Sequence, residues 1–567
     1  MDCSQSEGRI PQIPGYADTL DTVIFRLNRR ECQQSNDTAL CRNTEDKTVG
    51  RKRKENRMAK KPKPMHILEI PIAHVDGFPH PRDAFNTPFH ILWKIHNIAV
   101  AEGQRRLDRL FRDREYWYLI RCLKKAESKD EKKVIAEKLT AIREKYNLAG
   151  SYCLQKYVAV QQHRYSQYFS SHQIQKEGEA VYKGIAEVLF GDGKHLHFRK
   201  ASEIRCVSQK DTSNGVKFNI RTGTGTWRKF TFRCHINWND PYVTESLAYG
   251  GVSYYEIKRR MFQSGWRYYL VIVLKGHAPK KISDFEREQE HKSNTGIDLG
   301  TSTLAAYSHE SATLERLAPD AESYDRRIRQ LQKKHDRLQR INNLENYNPD
   351  GTVRKGRKTW YHSNRMRQLR REISTLYRKK SEYIRMCQCI LANRLIMQAD
   401  HIYYEKNCFT SMQRRAKKTE RSEKVSVIRR KDGTLQNVRK FKKKKRFGHS
   451  LTLHAPALFI TLLKNKCLQY DVPFDEINTS TYRASQYNPL TGEYRKPELS
   501  ERFKNIEGHL VQRDLLSAYL IAHPDSSLMH ADTSAVYENF SHFLKLHDAC
   551  IQKMKDDGIS FRQCFGF

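Results

Sequence analysis

From Met65 onward the chain switches between two apolar rhythms. Met65–Val75, MHILEIPIAHV, carries an apolar alternation and predicts a strand. From about Pro88 to Phe190 the spacing becomes helical. Ile91, Ile95 and Ile98 begin it, and Leu107, Leu110 and Phe111 continue it. The segment KDEKKVIAEKLTAIREKYNL sets Val134, Leu139, Ile142 and Tyr146 on one side and charges on the other. Between about His195 and Lys280 strands return as VKFNIRTG, WRKFTFRCHI and WRYYLVIVLKG, with Gly-rich breaks. The GTGT of Gly223–Thr226 lacks the Lys-Ser/Thr of a phosphate-binding loop and reads as a turn. Strand, helices, strands is the order of a β-barrel interrupted by a helical insertion.

The second half repeats the alternation. SNTGIDLGTSTLAAYS predicts a strand pair. Tyr324, Ile328, Leu331, Leu338 and Ile341, then Met366, Leu369, Ile373, Leu376 and Tyr383, recur at helical spacings on either side of Asn348-Pro349-Asp350-Gly351. They predict an antiparallel helical hairpin over 324–386 with a narrow apolar seam. Its outer faces carry Arg326, Arg327, Arg365, Arg370 and Arg371. Further on, ILANRLIMQAD reads as a helix, ADHIYYEKN as a strand and HLVQRDLLSAYLI as the start of an apolar helix. Residues 1–64 have no such rhythm and end in the basic run RKRKENRMAKKPKP, as expected of a disordered basic arm. Met58 is an alternative start that would leave 510 of the 567 residues.

Charge sharpens this outline. Against 64 Asp+Glu stand 103 Lys+Arg, a net +39. Such an excess calls for a polyanion, and nucleic acid is the commonest one. Residues 411–446 hold 16 Lys/Arg and 3 Asp/Glu, or +13, and predict a mobile basic insertion without a core of its own. No run of 18 apolar residues exists, so no membrane partner is expected. The 13 cysteines are scattered with no CxxC pair, which fits a reducing, cytoplasmic setting and gives no support for structural zinc. Cys387 and Cys389 lie in an apolar helical stretch and read as packing residues.

Three acids stand out by their surroundings. Asp298 lies in mid-strand in TGIDLGTSTLA, Glu405 ends HIYYE, and Asp514 begins an apolar helix. The gaps between them are 107 and 109 residues, which suits a ribonuclease-H-like fold that gathers acids from distant segments. Grouped carboxylates repel unless a cation holds them, and oxygen ligands select Mg²⁺ or Mn²⁺. Two such ions would serve phosphodiester hydrolysis. Asp532, in HADTSAVYENF, is a competing third acid; Asp514 is preferred for the Gln512-Arg513 ahead of it.

These segments resemble the TnpB family of transposon-encoded RNA-guided nucleases and the related type V CRISPR effectors. TGIDLGTSTLAAYS is similar to the first RuvC motif, HIYYEKN to the second and VQRDLLSAYLI to the third, usually Asp-Arg-Asp-x-Asn-Ala-Ala-x-Asn-Ile. The resemblance covers about residues 260–522 in motif and 65–260 in layout. It implies an α/β multidomain protein: a wedge barrel (65–87 and 191–285) with a helical recognition insertion (88–190), then a RuvC domain (290–477), a zinc-finger-like module (478–510), and the third motif with C-terminal helices (511–567). Two departures exist. Leu516-Ser517-Ala518 replaces Asn-Ala-Ala, and Arg483 and Gln486 stand near the places of zinc-binding cysteines, implying a degenerate zinc-free module.

The resemblance implies an RNA-guided DNA endonuclease with guide RNA and target DNA as partners. Asp298, Glu405 and Asp514 would be the catalytic, metal-holding acids, and a monomer is the favoured state. The alternatives are a nuclease-inactive RNA-guided repressor and a DDE-type transposase. Trp93, Trp117, Trp227 and Trp266 are candidates for stacking on bases or for the core.

Overall fold

The computed structural model describes residues 64–191, 193–249, 251–288, 290–413, 421–429, 435–441, 447–498 and 501–559. The expected basic arm lies outside them except for Pro64. The chain forms two compact units, Met1–Pro279 and Lys280–Phe567.

The first unit is a seven-stranded antiparallel sheet with a helical insertion. Its strands are β1 (Met65–Val75), β2 (Cys206–Ser208), β3 (Val216–Asn219), β4 (Thr224–Trp227), β5 (Phe230–Cys234), β6 (Val252–Phe262) and β7 (Gly265–Lys275), in the order β2-β6-β7-β1-β5-β4-β3. β1 pairs with β7 on one side and β5 on the other, with an irregularity between Ile72 and His74. The sheet curls until the Tyr255 hydroxyl of β6 donates to the Phe218 carbonyl of β3 at 3.5 Å. It is a curled sheet rather than the closed barrel expected. Its end strands have only three and four residues, too short to form a ladder that closes it.

Five helices follow β1: α1 (Pro81–Arg112), α2 (Arg114–Lys125), α3 (Lys129–Lys145), α4 (Ser151–Arg164) and α5 (Ser171–Phe190). α1 begins at Pro81, earlier than the predicted Pro88. Proline suits the first turn, where its missing N–H costs nothing. On α3 the buried stripe is Ile135, Leu139 and Ile142, whereas Val134 is exposed. The i, i+4, i+7 row faces the core, and Val134 lies just off it.

The GTGT segment is not a turn, since its last three residues begin β4. Gly225 sits opposite Phe232, and a Cβ there would lie 2.4 Å from the Phe232 ring. The glycine makes room for that ring. Trp227 is fully buried against Phe85, Phe89, Phe169 and Phe230, and its Nε1–H donates to Gln173 on α5 at 3.3 Å. It therefore joins the sheet to the helices. Trp117 is exposed, with its Nε1–H on the Phe111 carbonyl.

The second unit is built on a five-stranded mixed sheet of order β10-β9-β8-β11-β14, from β8 (Ser293–Leu299), β9 (Thr303–Ser308), β10 (Ser311–Arg316), β11 (Ala399–Glu405) and β14 (Phe474–Ile477). β8–β9 and β9–β10 are antiparallel; β8–β11 and β11–β14 are parallel. The predicted hairpin is present as α6 (Ala321–Ile341) and α7 (Asn364–Gln398). Ile328, Leu331, Met366 and Leu369 are buried, but Ile341 is exposed. Polar pairs extend the seam: Arg370 donates to buried His335 at 3.0 Å, and Lys380 pairs with Asp325. The far half of α7 enters the core under the sheet through Leu391, Ala392, Leu395 and Ile396.

The basic insertion is not structureless. Arg421–Arg429 (β12) and Leu435–Phe441 (β13) form an antiparallel pair that leaves Val425, Val427 and Leu435 exposed. Its other residues fall largely outside the described ones. Over 478–510, the Arg483 guanidinium lies 4.5 Å from the Tyr494 ring, which packs on Tyr487, and β15 (Phe503–Ile506) pairs with β16 (His509–Gln512). Two helices close the chain, α8 (Arg513–Ala522) and α9 (Thr533–Asp556). Among the described residues no cysteine forms a disulfide, and no helix is long and apolar enough to cross a membrane.

Trp227→Ala is expected to destabilise the first unit by about 3–5 kcal/mol, the range for emptying a large aromatic site. Trp117→Ala should cost under about 1 kcal/mol at its exposed site. Thermal unfolding of the two variants checks the contrast.

Candidate active site

The parallel pairing of β8 with β11 sets two of the acids side by side. Ile297 is in register with Tyr404, so Asp298 and Glu405 each stand one residue beyond that pair. In-register residues on adjacent parallel strands project to the same face, with the strands about 4.8 Å apart. Asn407 reinforces this end by donating from its side chain to the Leu299 carbonyl at 2.9 Å.

Helix α8 brings the third acid. A Cβ on Gly296 would lie 2.0 Å from the Ala518 carbonyl oxygen and 2.4 Å from the Ala522 nitrogen. The strand and helix backbones therefore touch, and only glycine facing alanine permits it. Asp514, Ala518 and Ala522 share one row of the helix, four residues apart. Four helical residues cover about 6 Å, and two strand residues about 6.6 Å. The step from Ala518 back to Asp514 thus matches the step from Gly296 to Asp298. The alternation and apolar periodicity of the sequence predicted each element; this fit sets the acids together.

The helix start is fixed from two sides. The Gln512 side-chain oxygen accepts from the Leu515 N–H at 2.6 Å, and the Gln512 N–H donates to His547 of α9 at 2.9 Å. The other candidate, Asp532, is engaged differently: its carboxylate caps α9, accepting from the Ser534 and Ala535 N–H groups at 3.1 Å.

The electrostatics follow from this grouping. Burial, then Asp514 and Glu405, raise the Asp298 carboxyl well above the usual range, while Arg513 and a hydrogen bond with Ser517 oppose the rise. Burial pushes Glu405 up to about 7. Arg513 reaches Asp514 at 3.3 Å and donates to the Glu501 carbonyl at 3.1 Å. Arg502 and Lys504 of the adjoining hairpin sense Arg513, and burial holds the Lys504 ammonium down at about 8. A cationic edge thus borders the carboxylates.

Sequence reasoning did not identify Arg502, Lys504 or Ser517 as part of this site. Ser517 was visible only as a departure from a motif, and no periodicity marks a hydroxyl that will meet a carboxylate. Three hard oxygen donors, Asp298, Glu405 and Asp514, are a suitable set for Mg²⁺ or Mn²⁺. Among the described residues, no three His, Cys, Asp or Glu side chains already stand in ligating arrangement around one point.

No family model and no curated protein matches the chain. Among solved structures the chain is similar to one titled "Cryo-EM structure of CRISPR-Cas12f Ternary Complex", at 13% identity and a TM-score of 0.22, over 78% of this chain and 82% of that chain. That score is too low to establish a shared fold.

The raised proton affinities give a stability test. A carboxyl whose affinity rises from 4.5 to about 7 on folding binds its proton more tightly in the folded chain. Without a cation, stability therefore falls as pH rises through that window. In EDTA, wild type should lose up to about 3 kcal/mol more than Glu405→Gln between pH 5 and 8. Thermal unfolding measures the difference; parallel curves for the two proteins would contradict the burial of this charge.

Proposed function

We propose that the chain is an RNA-guided DNA endonuclease whose ribonuclease-H-like RuvC site is Asp298, Glu405 and Asp514. The observation that carries the reading is the meeting of these acids. Segments 107 and 109 residues apart, each with the flanks of a RuvC motif, bring Asp514 and Glu405 close enough to raise the Asp298 carboxyl. Structural acids at element ends are usually capped or paired by neighbours, as Asp532 is; Asp298 is crowded with like charge and Glu405 is buried instead.

Mg²⁺ or Mn²⁺ bound there would supply an activated water and neutralise the departing oxygen of a phosphodiester. Asp298 and Glu405, fixed by the sheet, would hold the cation. Asp514 would complete the set, its carboxylate held by Arg513. The Ser517 hydroxyl restrains Asp298. Arg502 and Lys504 would bind the scissile strand's phosphates.

The positive excess would hold a guide RNA along the helical hairpin and the basic insertion. Base pairing to the guide would then select the DNA, with a short adjacent duplex motif read by the protein. A degenerate target-binding module over 478–510, packed by Arg483, Tyr487 and Tyr494 in place of metal, belongs to the same reading.

The test is to purify the chain with coexpressed flanking noncoding RNA and assay plasmid cleavage with Mg²⁺. A specific RNA copurifies, cleavage requires a matching guide and leaves 5′-phosphate ends, and Asp298→Ala lowers cutting at least a thousandfold while RNA still copurifies. Robust cutting by Asp298→Ala would sink the site assignment, and cutting by wild type without RNA would sink the guided mechanism.

A further inference from the structure

The first unit holds a cavity of about 410 Å³, within the roughly 300–1,000 Å³ range of small-ligand sites. It opens between β1, the start of α1 and the turn joining β6 to β7. Its walls combine two chemistries. Trp266, Phe262 and Tyr268 supply aromatic surface, and Arg82, Arg267 and His80 supply positive charge and donors.

Trp266 is held in place from behind. The Arg259 guanidinium lies 4.3 Å from its ring centroid and 4.5 Å from that of Phe89. Arg259 is itself buried and donates to the Ile204 carbonyl at 2.9 Å and the Ala201 carbonyl at 2.5 Å. An arginine pinned by two carbonyls and two rings cannot swing away, so the indole is a fixed platform. The cations are exposed instead. Arg267 rests 4.5 Å from the Phe262 ring, and the partner of Arg82 is Asp83 at 3.6 Å, with both side chains largely in solvent. A surface pair of that kind is worth little and yields readily to a stronger anion.

We infer that this cavity binds one unstacked nucleotide of a single-stranded segment, its base against Trp266 and its phosphate between Arg82 and Arg267. A flat platform with cations at the rim fits a base joined to a phosphate. A bare anion would leave the aromatic wall unused, and an apolar ligand would leave the two arginines unused. The N-terminus of the 32-residue α1 at the same rim adds a favourable field for the phosphate. All of these residues belong to the first unit, so the inference stands whether or not the second unit is a nuclease.

Crosslinking tests it on the full chain. Short oligonucleotides carrying one 4-thiouridine (RNA) or 4-thiothymidine (DNA) are irradiated with the protein at raised salt, which suppresses binding to phosphate contacts alone. Adducts are then mapped by mass spectrometry. The expected result is an adduct within 262–269 in at least one arm, and the stronger arm identifies RNA or DNA as the source. Its yield should fall at least tenfold in Arg82→Gln/Arg267→Gln, whose exposed positions leave the fold intact by melting temperature, and likewise in Trp266→Leu. Adducts found only elsewhere in both arms, or an undiminished yield in the double arginine variant, would overturn the inference.

Discussion

The contact of Gly296 with Ala518 and Ala522 is the constraint on which the second unit depends. A strand and a helix normally keep a side-chain layer between them. Here the layer is absent at one point, and any Cβ on residue 296 would overlap the helix backbone. The close approach fixes both the distance and the phase of α8 against β8, so that Asp514 comes opposite Asp298. Around it, the helix is buried on every side from Leu515 to Ala522, with Tyr519 stacked on Phe543 and edge-on to Tyr307. These contacts act as a clamp holding the seam shut.

Gathering acids this way works against folding. Burial favours the protonated forms of Asp298 and Glu405, and at Asp298 the neighbouring Asp514 and Glu405 add repulsion. Arg513 engages Asp514, and Ser517 meets Asp298. Under the proposed function, a bound cation would offset that cost. Shifted carboxyls where distant segments converge make this a candidate functional site. The first unit manages charge differently: its buried Glu69 already has its partners in Lys258 and Arg260.

Much of this was legible in the sequence, and the exceptions have physical causes. The strands, the long helices, the hairpin and all three acids follow from alternation, helical spacing and apolar flanks. Misread elements were ones in which a single contact outweighed the local pattern. Gly225 reads as turn material until Phe232 is placed across from it. Val134 and Ile135 are equally apolar, and only the neighbouring helix decides which is buried. The charge of the +13 insertion predicts only a segment lacking a core of its own, and it hides a strand pair that β-branched residues at Val425 and Val427 suit. The role of Gly296, admitting a helix, depends on two alanines more than 220 residues away.

The account rests on three carboxylates forming one cation site, and calorimetry of Mn²⁺ binding at pH 7 in two buffers of different ionisation enthalpy tests that most directly. Carboxyls that are partly protonated in the metal-free protein must release protons when the ion enters. The predicted result is binding with release of about one proton or more, with release sharply reduced in Glu405→Gln. Absence of binding, or binding without proton release, would contradict it.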